Sequence, residues 1–201
     1  MDMCVANGVP AAIDDLGFGP MGCRPAWDLH SRMRKNPARL AQLQQLAILD
    51  TAPEKVYADL ARLLADSLAV PITMVNMLDA ERDWFKACVG FPLAESPVET
   101  SFCEVFFDIA NDVVVVEDTR TSDLFAKHPL VTGSPFIRFY AAARLTVGGQ
   151  TVGTLCAYDV APHKLSDDQM RHLSELAGAA MAALGDRSRA RDGVRSLAPD
   201  A

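Results

Sequence analysis

The sequence contains no apolar run approaching the ~20 residues that a membrane-spanning helix needs. Its first twenty residues hold no Lys or Arg, so the charged start of a secretory signal is missing. It has no C-x-x-C pair and no Cys/His spacing of the zinc type, and its five cysteines (Cys4, Cys23, Cys88, Cys103, Cys156) are odd in number and far apart. They read as reduced thiols of a cytoplasmic protein, three of them in the core, with no metal site. No G-x-G-x-x-G or P-loop occurs, which removes support for dinucleotide binding or nucleotide hydrolysis. His128, His163 and His172 are scattered, with no H-E-x-x-H and no Ser–His–Asp order. Cationic side chains are the minority, 19 against 26 acidic ones, for a net charge of -7. A surface of that sign repels phosphate backbones and anionic bilayers, so neither a nucleic-acid nor a membrane partner is expected.

What is present is enough for one core: 201 residues, half of them hydrophobic. Residues 1–36 show no period and carry several Gly and Pro, which predicts a flexible leader; Met33 is an alternative start. Leu40, Leu43, Leu46 and Ala47 then recur at helical spacing. Thr51 with Glu54 predicts a capping box, and Val56, Leu60, Leu63, Leu64 and Leu68 a buried stripe that stops before Pro71. Residues 72–78 and 84–89 read as a hairpin across the charged turn Asp79–Asp83. That turn is not a calcium loop, because Trp84 stands where the sharp bend requires Gly, and it is expected to be solvated. A short helix capped by Ser101 with Glu104 follows, then a buried strand at Val113–Val116. Segments 136–147 and 151–158 flank the hairpin turn Gly148-Gly149. The last helix starts with a capping box at Ser166 and Gln169 and a staple of Leu165 with Met170, and Gly185 marks its expected end. Helices at both ends of about five mostly antiparallel strands make an α+β domain at 37–185, followed by a polar tail at 186–201.

Eleven of the fourteen aromatic residues lie between Trp84 and Tyr158. A plain core explains them; so does a small-molecule cavity, which is apolar and aromatic with a few polar groups. The candidates for such a site are Phe85, Phe102, Phe106, Phe125, Phe139 and Tyr140, with Cys103, Cys156, His128 and Arg138. Cys103 stands at a helix N-terminus, where a thiol pKa falls, yet its neighbours are apolar and predict a buried, inert thiol.

The stretch RLAQLQQLAILDTAPEKVYADLARLLADSLAVPITMVNMLDAERDWFKACVG resembles the start of one bacterial subgroup of GAF domains. SFCEVFF, VVVVEDTRTSDLFAKHPLVTG, FIRFYAAARL and VGTLCAYD continue in that subgroup's order, so the resemblance runs from about residue 39 to 184. It implies a PAS-related antiparallel sheet of five or six strands. N- and C-terminal helices would flank one face, and short helices and loops around a small pocket the other. It implies a ligand sensor or relay module without catalysis of its own. The small residues Ala177, Gly178, Ala180 and Ala183 of the last helix, with Leu40, Leu43 and Leu46 of the first, predict a homodimer through the terminal helices; the reduced thiols predict a cytoplasmic protein, and the short polar tail a separately encoded output protein. It leaves the ligand or cofactor unknown. Two alternatives stay open: a thiol enzyme of the free methionine sulfoxide reductase type, and a purely structural dimerisation module. The branch signatures for cyclic nucleotides (Asn-Lys…Phe…Asp-Glu) and for bilins (Cys-His) are missing.

Overall fold

The computed structural model describes residues 31–196. The chain begins with α1 (Ser31–Arg34), α2 (Pro37–Leu46) and α3 (Lys55–Leu68) and then enters the sheet. Strands β1 (Ile72–Leu78) and β2 (Arg82–Val89) form a hairpin, and β3 (Glu95–Pro97) adds a short edge. A 3-10 turn at Phe102–Phe107 leads to β4 (Val113–Val116), and α4 (Pro129–Thr132) precedes β5 (Phe139–Val147), β6 (Gln150–Asp159) and α5 (Asp167–Ser196). The six strands run in the order β3-β2-β1-β6-β5-β4 with every neighbouring pair antiparallel. This is the α+β architecture, an antiparallel sheet flanked by helices, that the sequence predicts.

Local chemistry explains the element ends. Asn36 Oδ1 accepts from the amides of Ala38 and Arg39, and Pro37 begins α2 without wasting a donor. Ser166 and Gln169 bond each other's backbone amides at 3.2 and 3.0 Å, the reciprocal box that starts α5. Gly148 and Gly149 both take positive φ, 58° and 75°, as a tight two-residue hairpin between β5 and β6 demands.

Alternation along the strands divides the interior in two. Val75 and Met77, Leu155 and Ala157, and Phe139, Ala141 and Ala143 face α2, α3 and α5. Ile72, Met74 and Leu78, Tyr140 and Ala142, and Cys156 face the opposite way, under the 3-10 turn and α4.

Several expectations are corrected. The leader boundary at 36 falls too late: Arg34 is fully buried, while residues 1–30 lie outside the described residues. Thr51 and Glu54 do not box α3. Thr51 donates to the Ile48 carbonyl, and Glu54 pairs with Lys86 and Arg187, each at 2.7 Å. Val56 and Leu63 face outward, and Tyr57 and Ala61 take the buried stripe. Asp83 is buried rather than solvated. Val113–Val116 is a half-buried edge strand, because no described strand pairs beyond it. Gly185 does not end α5, which continues to Ser196. Two residues past Gly185, Arg187 donates to the carbonyls at the end of α2, Leu46 O at 2.8 Å and the C-cap Ala47 O at 2.7 Å, a cation placed at a helix C-terminus. Ala177 and Ala180, read as a surface for a partner helix, pack inside this chain's own core. Among the described residues, no helix is long and apolar enough to cross a membrane, and no group of His, Cys, Asp or Glu is placed to hold a metal.

Candidate functional site

The second face of the sheet carries a partly open cavity. Ile72 and Met74 of β1 and Tyr158 of β6 form part of its lining, and Phe85 of β2 and Phe102 of the 3-10 turn close its aromatic side. Leu130, Pro135 and Ile137 come from the α4 region, and Phe91, Leu93, Ser96 and Thr100 from the segment around β3. Asp83 contributes the charged group. The volume is about 50 Å³, on a scale where one water needs roughly 10–15 Å³.

Asp83 is held from three sides. Its Oδ2 accepts from Ser101 Oγ at 2.6 Å and Asn76 Nδ2 at 2.9 Å, and its Oδ1 from Arg34 Nη2 at 2.6 Å. Arg34 also pairs with Glu104 and donates to the carbonyls of Asp79 and Arg82 at 2.6 and 2.7 Å. The short helix that was expected here, capped by Ser101 and Glu104, is instead a 3-10 turn with no side-chain cap, because both residues are committed to this network.

Phe102 anchors the aromatic cluster behind the cavity. Its ring lies 4.0 Å from His128, 4.9 Å from Phe125, 5.2 Å from Tyr140 and 5.5 Å from Tyr158. His128 Nδ1 accepts from the Leu130 amide at 3.2 Å, which caps α4. Burial pushes the His128 pKa down to about 4, so the ring is neutral near neutral pH.

Of the ten candidates read from the sequence, Phe85 and Phe102 line the cavity. Cys103, Phe106, Phe125, His128, Tyr140 and Cys156 are buried on the same side of the sheet, behind that lining. Phe139 lies on the other side, under the helices: adjacent strand residues point to opposite faces, so it cannot share a pocket with Tyr140. Arg138 is tied to Asp118 by two bonds, at 2.9 and 2.5 Å, and does not line the cavity. The candidate set left out Ile72, Met74 and Tyr158, the last although the aromatic count included it, and Asp83. Alternation through residues 72–78 and 154–158 carried the signal for the first three; nothing local marks Asp83.

A search against known families matches the GAF domain over residues 52–184. A cyclic di-GMP phosphodiesterase of Pseudomonas aeruginosa is 32% identical over 126 residues, which cover 62% of this chain and 21% of that protein, so the chain spans about a fifth of that relative's length. Among solved structures, the PixJ GAF domain of Thermosynechococcus elongatus in its blue-light absorbing form superposes with a TM-score of 0.57 at 18% identity, covering 79% of this chain and 95% of that one. Free methionine-R-sulfoxide reductase from Neisseria meningitidis, solved with its substrate, gives 0.54 at 17% identity and covers 86% and 97%. At such identities the likeness speaks for the fold alone. The family match extends over most of the described span and the sheet agrees with it, so this chain belongs to the GAF domain family.

Proposed function

We propose that the chain is a sensory GAF module of bacterial, cytoplasmic signalling, which binds a compact, largely apolar molecule in the cavity and relays its presence without catalysis of its own. One observation carries this reading: Asp83 stands in the cavity wall and at the same time anchors Arg34 of the N-terminal segment. A ligand that moves Asp83 changes the hold on α1. The rim groups Ser96 and Thr100 supply the few polar contacts that such sites use for orientation. Among the described residues the cavity lining carries no thiol, which favours ligand binding in the cavity over sulfoxide reduction there.

Relay through a homodimer and a separately encoded output protein belongs to the same proposal. The outward residues available for self-association are Val56 and Leu63 on α3 and Gly178 and Ala179 on α5, which packs beside α3. Sedimentation equilibrium near micromolar concentration tests it: a dimer that Leu63→Glu dissociates supports the interface, and a monomer mass for the native chain removes it.

Native mass spectrometry of the full chain purified from its own host tests the sensing role. The expected result is a retained small molecule that is lost in Ser96→Phe, which fills the half-buried rim and leaves the unfolding temperature unchanged. A bare mass for the native chain, or equal loading of both proteins, overturns it.

A further inference from the structure

The sheet face that carries the cavity also buries two thiols that ligand binding leaves unused. Cys103 and Cys156 are both fully buried. Cys103 Sγ lies 3.1 Å from Thr154 Oγ1 and 3.8 Å from Tyr158 OH. Thr154, Cys156 and Tyr158 alternate onto one face of β6, so a sulfur that reaches both hydroxyls sits over the residue between them. That residue is Cys156, and its thiol interacts with Cys103 and shares the same two hydroxyls. Tyr140 OH adds a bond to Cys103 Sγ at 3.4 Å and Asn76 Nδ2 another at 3.6 Å.

Sulfur is a weak acceptor, and a thiol that only fills core space needs no such surroundings. Polar groups from β1, β5 and β6 converging on one sulfur are what a thiolate requires. Asn76 provides a second observation. Its Nδ2 serves Cys103 and Asp83, while its Oδ1 is buried with no hydrogen-bond partner among the described residues. The amide beside Cys103 therefore holds a spare acceptor, suited to an O–H group formed on that sulfur.

We propose that Cys103 and Cys156 are a redox pair, oxidised to an intramolecular disulfide by a small peroxide. The Cys103 thiolate attacks one peroxide oxygen. The O–O bond breaks, a sulfenic acid forms on Cys103, and the departing hydroxide takes up a proton as water. The Cys156 sulfur then attacks Cys103 Sγ; the S–S bond forms, the S–O bond breaks, and hydroxide leaves with the Cys156 proton as a second water. Two thiols lose two electrons in all, and the peroxide gains them. Burial raises the Cys103 thiol, but hydrogen bonds from Cys156, Thr154 and Tyr140 outweigh it and leave its pKa below the ordinary value. Burial and the adjacent Cys103 push Cys156 well above it. This asymmetry suits an attacking and a resolving thiol. The peroxide enters from the cavity, whose wall includes Tyr158, a direct neighbour of Cys103. The proposal stands whether or not the cavity binds a signal molecule.

The experiment treats the full native chain with hydrogen peroxide, then unfolds and alkylates it and maps its peptides by mass spectrometry. The expected result is the loss of two alkylatable thiols, restored by dithiothreitol, with one linked peptide pair joining Cys103 to Cys156. Cys156→Ala under the same treatment is expected to yield a sulfenic acid on Cys103 that dimedone traps. Oxidation confined to Cys88 or to the other cysteines overturns the proposal, as does a native chain whose Cys103 proceeds to sulfinic acid without forming the link.

Discussion

Replacing Arg34 with Met tests how firmly the segment before α2 belongs to the domain. Arg34 is fully exposed to none of the solvent: its guanidinium pairs with Asp83 and Glu104, both themselves buried, and donates to the Asp79 and Arg82 carbonyls. Its own carbonyl accepts from Arg39 Nε at 2.7 Å. A Met side chain fills similar space but removes the cation that pairs with two buried carboxylates and donates to two carbonyls. Removing one partner of a buried ion pair costs about 3–5 kcal/mol, against only about 1 kcal/mol for an exposed pair. At roughly 2–4 °C per kcal/mol for a chain of this length, the unfolding temperature should fall by about 6–20 °C. Urea unfolding followed by tryptophan fluorescence, with Trp84 buried in the main core, reads the loss directly. Deleting residues 1–36 should cost at least as much as Arg34→Met. The triple variant Arg34→Met, Asp83→Asn, Glu104→Gln should recover a large part of the loss, because it leaves no uncompensated charge. An Arg34→Met protein within about 1 kcal/mol of the native chain, the scale of an exposed pair, would refute the reasoning.

Further outcomes follow from single contacts. Because the His128 pKa is depressed to about 4 from an ordinary 6.5, the fold favours the neutral ring; the stabilisation is complete above about pH 6.5 and is lost as pH falls through 4. It amounts to about 3 kcal/mol, so the pH dependence of urea unfolding across this window should be shallower in His128→Asn, which keeps a capping acceptor for α4; identical slopes would count against it. Ala180→Glu should unfold the chain rather than merely separate protomers, since Ala180 is fully buried in the helix-side core; a folded Ala180→Glu protein by circular dichroism would contradict this. Gly90→Ala should be strongly destabilising, because φ there is +72° and an added Cβ would meet the Pro71 carbonyl oxygen at 1.9 Å; a change in unfolding temperature of only a degree or two would show that this backbone can yield.

Much of the fold is legible in local pattern. The period of 3.6 and the Ser166–Gln169 box mark α5, the run of residues 72–78 coincides with β1, and Gly148-Gly149 marks the β5–β6 turn, because each depends on residues close together in the chain. The order of the family segments carried the α+β class as well. Tertiary structure alone decided the rest. Ser101, Glu104 and Asp83 look like a cap and a solvated turn until Arg34, up to 70 residues away, turns them into one buried network. Gly185 looks like a stop until Arg187 meets the end of α2, 141 residues earlier, and rewards the helix for continuing. The aromatic count found the side of the sheet where the cavity lies, but only the pairing of β1 with β2 and β6 shows which side chains reach its wall and which sit behind it. Periodicity reports which residues are buried; what they are buried against depends on contacts whose partners lie far apart in sequence, and a single chain read from end to end does not record those distances.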